Sequence, residues 1–293
     1  MKQLVKGLKV HRQKVPERVV VVGCNGFIGS ALINQLMRIG INFLGLPKEE
    51  FDLLDKATSD KLNKILNAAD QVVFTSAIAP SKVANDVIKS ITMAETFCKS
   101  LAEVPVKQVI LISSDSVYGD RGGVFTEESS CCPNSFHGLA QLSREIIFES
   151  SDVKNLAILR VCPVYGPGDT HNSYGPNRFI NQIKNLESIK VFGDGLNLRD
   201  HIFVDDVVSL ILESLKSNLV GKLNVASGRS HSFLEVANLC KNIFSPETEI
   251  DNLGSEGEII EKYFSNNKIN DFFPNFVLHD LQSGLNSWRD RVL

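Results

Sequence analysis

Three polar residues near the middle of the chain have side chains that can handle protons and hydroxyl groups: Asp115, His137 and Gln141. An imidazole titrates near neutral pH without help from a neighbouring charge, so His137 is a candidate general acid or base. Gln141 lies four residues later, where a helix would bring it to the same face, and its amide can both donate and accept hydrogen bonds. Asp115 can donate a proton, or it can hold a local turn.

A glycine-rich stretch near the N-terminus predicts a dinucleotide site. The run RVVVVG at 18–23 is typical of a buried parallel strand, and a helical apolar pattern follows the glycines. Such a site needs a sharp turn, close approach of a pyrophosphate to the backbone, and a helix N-terminus facing the negative charge. The second strand at 41–46 strengthens this prediction. The candidate cofactor contacts in this stretch are Gly23, Asn25, Gly26, Phe27, Ile28 and Gly29.

The end of the second predicted strand leaves the type of dinucleotide open. An acid at this point would hold the ribose hydroxyls of NAD. The strand instead ends Leu46-Pro47-Lys48. Lys48 could favour the extra phosphate of NADP, or it could face solvent. The sequence therefore predicts NAD or NADP as the cofactor.

Strands and helices alternate along the chain, which predicts an α/β fold with a doubly wound parallel sheet of the Rossmann type. Buried strands open the stretches 71–80 and 107–119, a helix occupies about 84–102, and later strands lie around 189–192 and 222–225. We expect a basic N-terminal arm at 1–17, an NAD(P)-binding domain at 18–165 and a smaller substrate-binding region at 166–293, partly interwoven with it.

The composition is typical of a soluble globular protein, with 43% hydrophobic and 22% charged residues. A net charge of -3 gives no reason to expect nucleic-acid binding, and no apolar run approaches the ~20 residues of a membrane span. The six cysteines lack metal-like spacing and are expected to be reduced thiols in the cytoplasm, with no metal site. The basic arm is interpreted as a solvated segment, with contact to an anionic surface or organelle targeting as alternatives.

Motifs spread in order over nearly the whole chain resemble those of the extended short-chain dehydrogenase/reductases. The resemblance is to their NAD-dependent epimerase/dehydratase group, which acts on nucleotide sugars. Besides the three glycines, the motifs that carry it are Asp52-Leu53, Thr75-Ser76-Ala77, SSDSVYG at 113–119, LRVCPVYGPGD at 159–169, VFGDGLNLRDHIFVDDV at 191–207, LNVASGRSHSFLEVA at 223–237 and DLQSGLNSW at 280–288.

The resemblance implies cofactor contacts beyond the glycine loop. Asp52 and Leu53 would flank the adenine. Ser76 and Ala77 would lie against the cofactor, with Ala77 near its second ribose. Ser114 would hydrogen-bond the reacting oxygen of the sugar.

On the substrate side, the resemblance implies that Arg199 clamps the diphosphate of the nucleotide, because a guanidinium matches phosphate oxygens with its forked donors. The alternative is a surface ion pair with Asp200 or Asp205. In the loop at 166–180, Asn177 and Arg178 are candidate contacts to phosphate or base, or else solvated loop residues.

The family's paired tyrosine and lysine are replaced. The framing residues put His137 at the tyrosine position and Gln141 at the lysine position, and no tyrosine occurs between Gly119 and Val164 to rescue the pair. Three interpretations remain open: His137 is itself the acid/base, with Gln141 able to hydrogen-bond a ribose hydroxyl, the protein binds its ligands without turnover, or a divergent enzyme uses Ser114 and Asp115. The acid pair of the family's 4,6-dehydratases is also reduced to a single acid, which disfavours dehydration.

The leading hypothesis is an NAD(P)-dependent nucleotide-sugar epimerase or 4-keto reductase that transfers a hydride at the sugar ring. The alternative is a catalytically impaired dinucleotide- and nucleotide-sugar-binding protein with a regulatory or scaffolding role. The resemblance also implies a homodimer formed through a helix bundle that includes the helix at 136–150. Its apolar residues, which would serve equally well in the core, are Leu139, Ile146, Ile147 and Phe148.

Overall fold

The computed structural model describes residues 15–151, 153–254 and 257–292. Most of the predicted basic arm therefore lies outside the described residues. The described chain forms two compact units. The first, here called the sheet unit, comprises the residues up to Gly119, Ser130–Arg160 and Val208–Leu223; the second unit comprises Asp120–Ser129, Val161–Val207 and the residues from Asn224 onward.

Elements are numbered in chain order. The strands are β1 Val19–Val22, β2 Phe43–Leu46, β3 Gln71–Phe74, β4 Gln108–Ser114, β5 Gly123–Phe125, β6 Leu156–Val161, β7 Val164–Tyr165, β8 Ile189–Phe192, β9 Leu198–Asp200, β10 Ile202–Phe203, β11 Gly221–Val225, β12 Ser230–Ser232, β13 Ile250–Leu253 and β14 Lys262–Phe264. The helices are α1 Phe27–Ile39, α2 Thr58–Asn63, α3 Ala84–Glu103, α4 Phe136–Ser150, α5 Pro176–Lys184, α6 Val204–Ser217, α7 Phe233–Phe244, α8 Asn267–Phe272 and α9 Leu281–Val292.

A six-stranded sheet in the order β2-β1-β3-β4-β6-β11 confirms the predicted α/β Rossmann-type fold. Strand β1 pairs in parallel with β2 and β3, and β3 pairs in parallel with β4. All four residues of β1 are buried valines, as expected for a strand covered on both faces.

The register of the sheet brings the carboxyl ends of its central strands to one edge. Val22 pairs with both Leu46 and Phe74, and Phe74 pairs with Leu111. The loops that follow these strands therefore begin side by side, at the edge where open parallel sheets bind their ligands. We call this the carboxyl edge of the sheet.

Helix α4 is fixed to the sheet unit at both of its ends. Near its C-terminal end, the ring of Phe148 lies 5.0 Å from that of Phe74 in an edge-on contact and 6.2 Å from that of Phe97. Near its N-terminal end, a Cβ added to Gly138 would lie 2.4 Å from the carbonyl oxygen of Ser116. The helix thus packs too closely at this point for any larger residue.

The second unit contains four two-stranded pairs: β7 with β10, β8 with β13 and β5 with β14 are parallel, and β9 with β12 is antiparallel. Pairing of β9 with β12 sets Arg199 opposite His231. Among the residues that the structure describes, no helix combines the length and the apolar character needed to cross a bilayer.

Candidate active site

The glycine loop between β1 and α1 has the geometry of a phosphate cradle. Gly23 has φ +85, and a Cβ there would lie 2.7 Å from Ser76 Oγ and 2.9 Å from the backbone nitrogen of Ser76. A Cβ on Gly29 would lie 2.2 Å from the carbonyl oxygen of Gly23. Gly26 caps α1 without a side-chain hydrogen bond, so the first amides of the helix are available to an anion.

The turn after β2 is organised around Asp52. Its Oδ1 accepts a hydrogen bond from the amide of Leu54 at 3.0 Å, and its carbonyl oxygen accepts one from the hydroxyl of Thr58 at 2.6 Å. Leu53 is buried. The structure thus gives both residues a role within the turn, and their contact with an adenine stays a prediction.

An acid that the sequence analysis missed lies beside the glycine loop. Lys48 is exposed, but the carboxylate of the next residue, Glu49, accepts a hydrogen bond from the side-chain amide of Asn25 at 3.5 Å. The signal was present in the sequence as an acid three residues after the end of β2. A carboxylate in this place is suited to hold a ribose hydroxyl.

The hydroxyl of Ser114, at the end of β4, is enclosed by its neighbours. It donates to Asp115 Oδ1 at 3.2 Å, and it accepts from the amide of Ser116 at 3.1 Å and from the hydroxyl of Ser116 at 3.0 Å. Ser114 rather than Asp115 therefore caps the short 3-10 turn at Asp115–Tyr118. The Ser114 hydroxyl and the Asp115 carboxylate form a pair that can pass a proton from one to the other.

His137 lies in the first turn of α4, whose N-cap is Ser135. Its ring is half-buried, and its Nδ1 accepts a hydrogen bond from the backbone N–H of Ser81 at 3.4 Å. A neutral imidazole that accepts at Nδ1 carries its proton on Nε2. In this state His137 is a hydrogen-bond donor through Nε2 and cannot accept a proton there.

Gln141 lies one turn further along α4 and is buried. Its Oε1 accepts a hydrogen bond from Arg144 Nη1, a contact that the sequence analysis missed. Arg144 is 1% exposed, its Nη2 donates to the carbonyl oxygen of Ser76 at 2.9 Å, and its guanidinium lies 5.5 Å from the ring centre of Phe74. The only signal in the sequence was an arginine three residues after Gln141 on a predicted helix.

A buried ion pair connects α4 to β6 and β4. Arg160 binds the carboxylate of Glu145 with a shortest N–O distance of 2.7 Å, and its Nη1 donates to the hydroxyl of Tyr118 at 3.0 Å. Ser113 donates to the same carboxylate at 2.5 Å. Burial alone would lower the pKa of Arg160, but the bonds to Glu145 more than offset this and raise it.

In the second unit, Arg199 makes an ion pair with Asp120, with which its Nη2 is in contact. The expected alternative partners were wrong. The carboxylate of Asp200 accepts hydrogen bonds from the amides of Ser227 and Gly228, and Asp205 pairs with Arg291. The side chain of Arg199 is 16% exposed, and its contact with a diphosphate stays a prediction.

The other two candidate substrate residues begin α5. Asn177 is buried, with its Oδ1 accepting from the amide of Gly166 at 3.1 Å and its Nδ2 donating to the carbonyl of Val164 at 3.0 Å. Both ends of its amide thus hold the loop after β7. Arg178 is half-buried over the ring of Tyr174 at 5.5 Å. Contact of either residue with a ligand stays a prediction.

Comparison with known proteins identifies the family. Residues 19–226 match the NAD dependent epimerase/dehydratase family. The chain belongs to this family. Among individual relatives, the chain is 28% identical over 261 residues to an uncharacterized UDP-glucose epimerase of Bacillus subtilis (strain 168), covering 77% of this chain and 82% of that protein. It is also 28% identical over 263 residues to the ADP-L-glycero-D-manno-heptose-6-epimerase of Brachyspira hyodysenteriae, covering 77% of this chain and 81% of that one.

Solved structures of similar proteins share the fold. UDP-glucose 4-epimerase from Thermotoga maritima, solved with UDP-glucose, superposes with a TM-score of 0.80 at 22% identity, covering 94% of this chain and 100% of that one. UDP-glucuronic acid 4-epimerase from Bacillus cereus, solved with UDP-glucuronic acid and NAD, gives a TM-score of 0.76 at 22% identity, covering 94% and 98%.

The residues of this epimerase/dehydratase family member fit a dinucleotide. The glycine loop closes against Ser76, the N-terminus of α1 is uncapped by side chains, and Glu49 stands beside the loop. The loop and Ser76 follow strands at the carboxyl edge of the sheet, Ser114 ends one, and Arg144 connects Gln141 to Ser76. The structure therefore links the glycine loop, Ser76 and Gln141 within the sheet unit, and contact of the other candidates with a cofactor stays a prediction.

Proposed function

We propose that this protein is an NAD-dependent nucleotide-sugar epimerase or 4-keto reductase of the cytoplasm. The observation that carries the proposal is the match of residues 19–226 to the family. The glycine loop within these residues is packed so closely that Gly23 and Gly29 accept no side chain. Relatives that bear epimerase names, and solved epimerases that hold UDP-sugars, support a nucleotide sugar as the substrate.

Bound NAD would supply a hydride acceptor for a carbon of the sugar ring. Oxidation of a ring hydroxyl also requires a proton acceptor, and the carboxylate of Asp115, bonded to the Ser114 hydroxyl at 3.2 Å, can take the proton through that hydroxyl. Reduction of a ring ketone requires a donor at the ketone oxygen. The Nε2–H of His137 can donate a hydrogen bond to that oxygen, because the Ser81 amide already binds Nδ1. The proton held by Asp115 would then return to the ketone oxygen through the Ser114 hydroxyl, which restores both groups.

The proposal is tested by turnover. Purified protein is incubated with NAD and a panel of UDP-, GDP- and dTDP-sugars, and the sugars and the redox state of the cofactor are followed by mass spectrometry and absorbance. We expect one sugar nucleotide to be interconverted, and His137→Ala to lower the rate about 100-fold or more through loss of the hydrogen-bond donor to the reacting oxygen. His171→Ala, a change at an exposed histidine, serves as the control. An unchanged panel would refute the enzymatic function.

One observation favours a second candidate, a binding protein without turnover. Nδ1 of His137 accepts a hydrogen bond from Ser81, so its Nε2 carries the proton and cannot take up another. The side chain of Gln141 is a neutral amide. In this arrangement neither residue can act as a general base. In that case co-purified NAD and a nucleotide sugar would be found by mass spectrometry, and neither would change on prolonged incubation.

We also propose that the protein is a homodimer formed through α3 and α4. Large apolar side chains on these helices are exposed, namely Ile88 at 60%, Leu139 at 45% and Ile146 at 57%. Phe148 is instead buried in the core, with Ile147 packed against the same cluster. Light scattering should give twice the mass of the chain, and Ile146→Glu should give the monomer mass, because a charge at a buried interface is costly.

A further inference from the structure

Arg144 carries a buried charge whose hydrogen bonds, within the residues that the structure describes, go to an amide oxygen and a carbonyl oxygen rather than to a carboxylate. Its neighbour Glu145 has both oxygens bound by Arg160, at 3.0 Å from Nε and 2.7 Å from Nη2. Burial lowers the pKa of Arg144 to about 10, which leaves it charged at neutral pH. Arg144, Glu145 and Arg160 therefore sum to one positive charge inside the protein.

This charge is attached to the carboxyl edge of the sheet. Arg144 donates to the carbonyl oxygen of Ser76, directly after β3, and a Cβ on Gly23 would lie 2.9 Å from the backbone nitrogen of the same residue. The guanidinium is thus joined, through one residue, to the loop that cradles a dinucleotide. Within the described part of the chain, its Nε–H is buried and has no hydrogen-bond partner.

Arg144 also determines what Gln141 can present. Because Oε1 of Gln141 accepts from Arg144, the amide is oriented with its carbonyl toward the guanidinium, and its NH₂ group can serve as a donor to a ligand. The NH₂ group of Gln141, with the Arg144 cation bonded to the same amide, thus lies four residues after His137. Arg144 itself lies within one further turn, at a spacing of three from Gln141.

We propose that Arg144 is a positioning residue that supplies the positive charge missing at Gln141: it orients the amide toward the nicotinamide ribose and places a cation near the nicotinamide ring. This proposal rests on NAD binding as part of the proposed function. A cation close to the ring acts unequally on the two redox forms, because the oxidised ring is itself positive and the reduced ring is neutral. Arg144 therefore weakens the binding of NAD⁺ relative to NADH.

The test is the ratio of the dissociation constants of NAD⁺ and NADH, both measured by titration calorimetry. We expect Arg144→Met to lower this ratio about fivefold or more through loss of the Coulomb repulsion, and Arg144→Lys to keep most of it. In the double variant Gln141→Lys/Arg144→Met, the cation returns one turn earlier and the ratio recovers. Arg38→Met, which removes an exposed arginine from α1, should leave the ratio unchanged.

A purely structural role of Arg144 would alter both dissociation constants by the same factor and leave the ratio at its original value in Arg144→Met. That result, or a ratio that the double variant does not recover, would overturn the proposal. Thermal unfolding of each variant checks that it is folded, and Arg144→Lys and the double variant supply the comparison if Arg144→Met unfolds. Failure of the proposed function gives a different result. If the variants show the expected ratios but the protein turns over no sugar nucleotide, the role of Arg144 stands and the enzymatic function is refuted.

Discussion

At the scale of single residues, the candidate proton-handling groups lie in two segments. Ser114 and Asp115 form one hydrogen-bonded pair at the end of β4, and His137 lies on α4 with its Nδ1 engaged by Ser81. In the proposed reaction, the Ser114–Asp115 pair would take the proton of a ring hydroxyl and later return it to the ketone. The Nε2–H of His137 would donate a hydrogen bond to the same oxygen.

Glu49 is the residue we expect to set the choice between NAD and NADP. Its carboxylate beside the glycine loop can accept a hydrogen bond from a ribose 2′-hydroxyl and repels a 2′-phosphate. Glu49→Ala should weaken NAD binding by about fivefold, the worth of one hydrogen bond, and improve the binding of NADP. Titration calorimetry with both dinucleotides measures this. Glu50→Ala is the matched control, and equal losses for the two dinucleotides would contradict the assignment.

The sequence reveals local features of the site better than distant ones. The loop could be recognised from Gly23, Gly26 and Gly29, because its backbone conformation and close packing require glycine. The contact between Arg144 and Ser76 joins residues 68 apart, and the pair of Arg199 with Asp120 joins residues 79 apart. No periodicity encodes such contacts, because they depend on which loops meet after the sheet has assembled.

At the scale of elements, α4 controls the geometry of the site. Its first turn is seated on the 3-10 turn that begins at Asp115, because Gly138 allows contact with the carbonyl of Ser116. Its last turn carries Phe148 into the aromatic cluster. The sequence pattern predicted this helix at 136–150 and the parallel sheet, since apolar periodicity indicates the type of an element. It predicted neither the strand order nor which apolar residues of α4 are buried.

Gly138→Ala tests the seating of α4. The added methyl would lie 2.4 Å from Ser116 O and 2.9 Å from Pro133 Cβ, so the helix or the turn must move. We expect a loss of about 1–3 kcal/mol in the free energy of unfolding, measured by urea denaturation. Gly257→Ala, at a position where a Cβ meets nothing within 4 Å, should change stability by much less. Equal effects of the two substitutions would argue against close packing at Gly138.

At the scale of the whole molecule, we expect one buried histidine to make stability depend on pH. Burial, together with the neighbouring charges of His231 and Arg199, lowers the pKa of His201 to about 3. An unfolded histidine takes up a proton near pH 6.5, whereas folded His201 does not. The unfolded state therefore gains protons first, and the free energy of unfolding decreases as the pH falls from about 6.5 toward 3, by about 1.4 kcal/mol per unit.

His201→Phe should remove this dependence while keeping an edge-on contact with Phe233, whose ring lies 5.8 Å away. Urea denaturation at about pH 7.5 and at about pH 5 should show the variant gaining about 2 kcal/mol over the parent at the lower pH. The exposed histidine variant His171→Ala should track the parent at both pH values. Parallel losses in the parent and His201→Phe would show that other groups govern the acid response.

The attachment of α4 at Gly138 and Phe148 has a consequence for how this fold changes its chemistry. Neither attachment uses His137 or Gln141, so exchanging these two candidate site residues leaves both contacts in place. Gln141 is nevertheless tied to Arg144, because its Oε1 accepts a hydrogen bond from Arg144 Nη1. A lysine at position 141 would remove that acceptor and set a second cation beside the buried guanidinium. Restoring the Tyr and Lys pair in this chain therefore calls for a change at Arg144 as well.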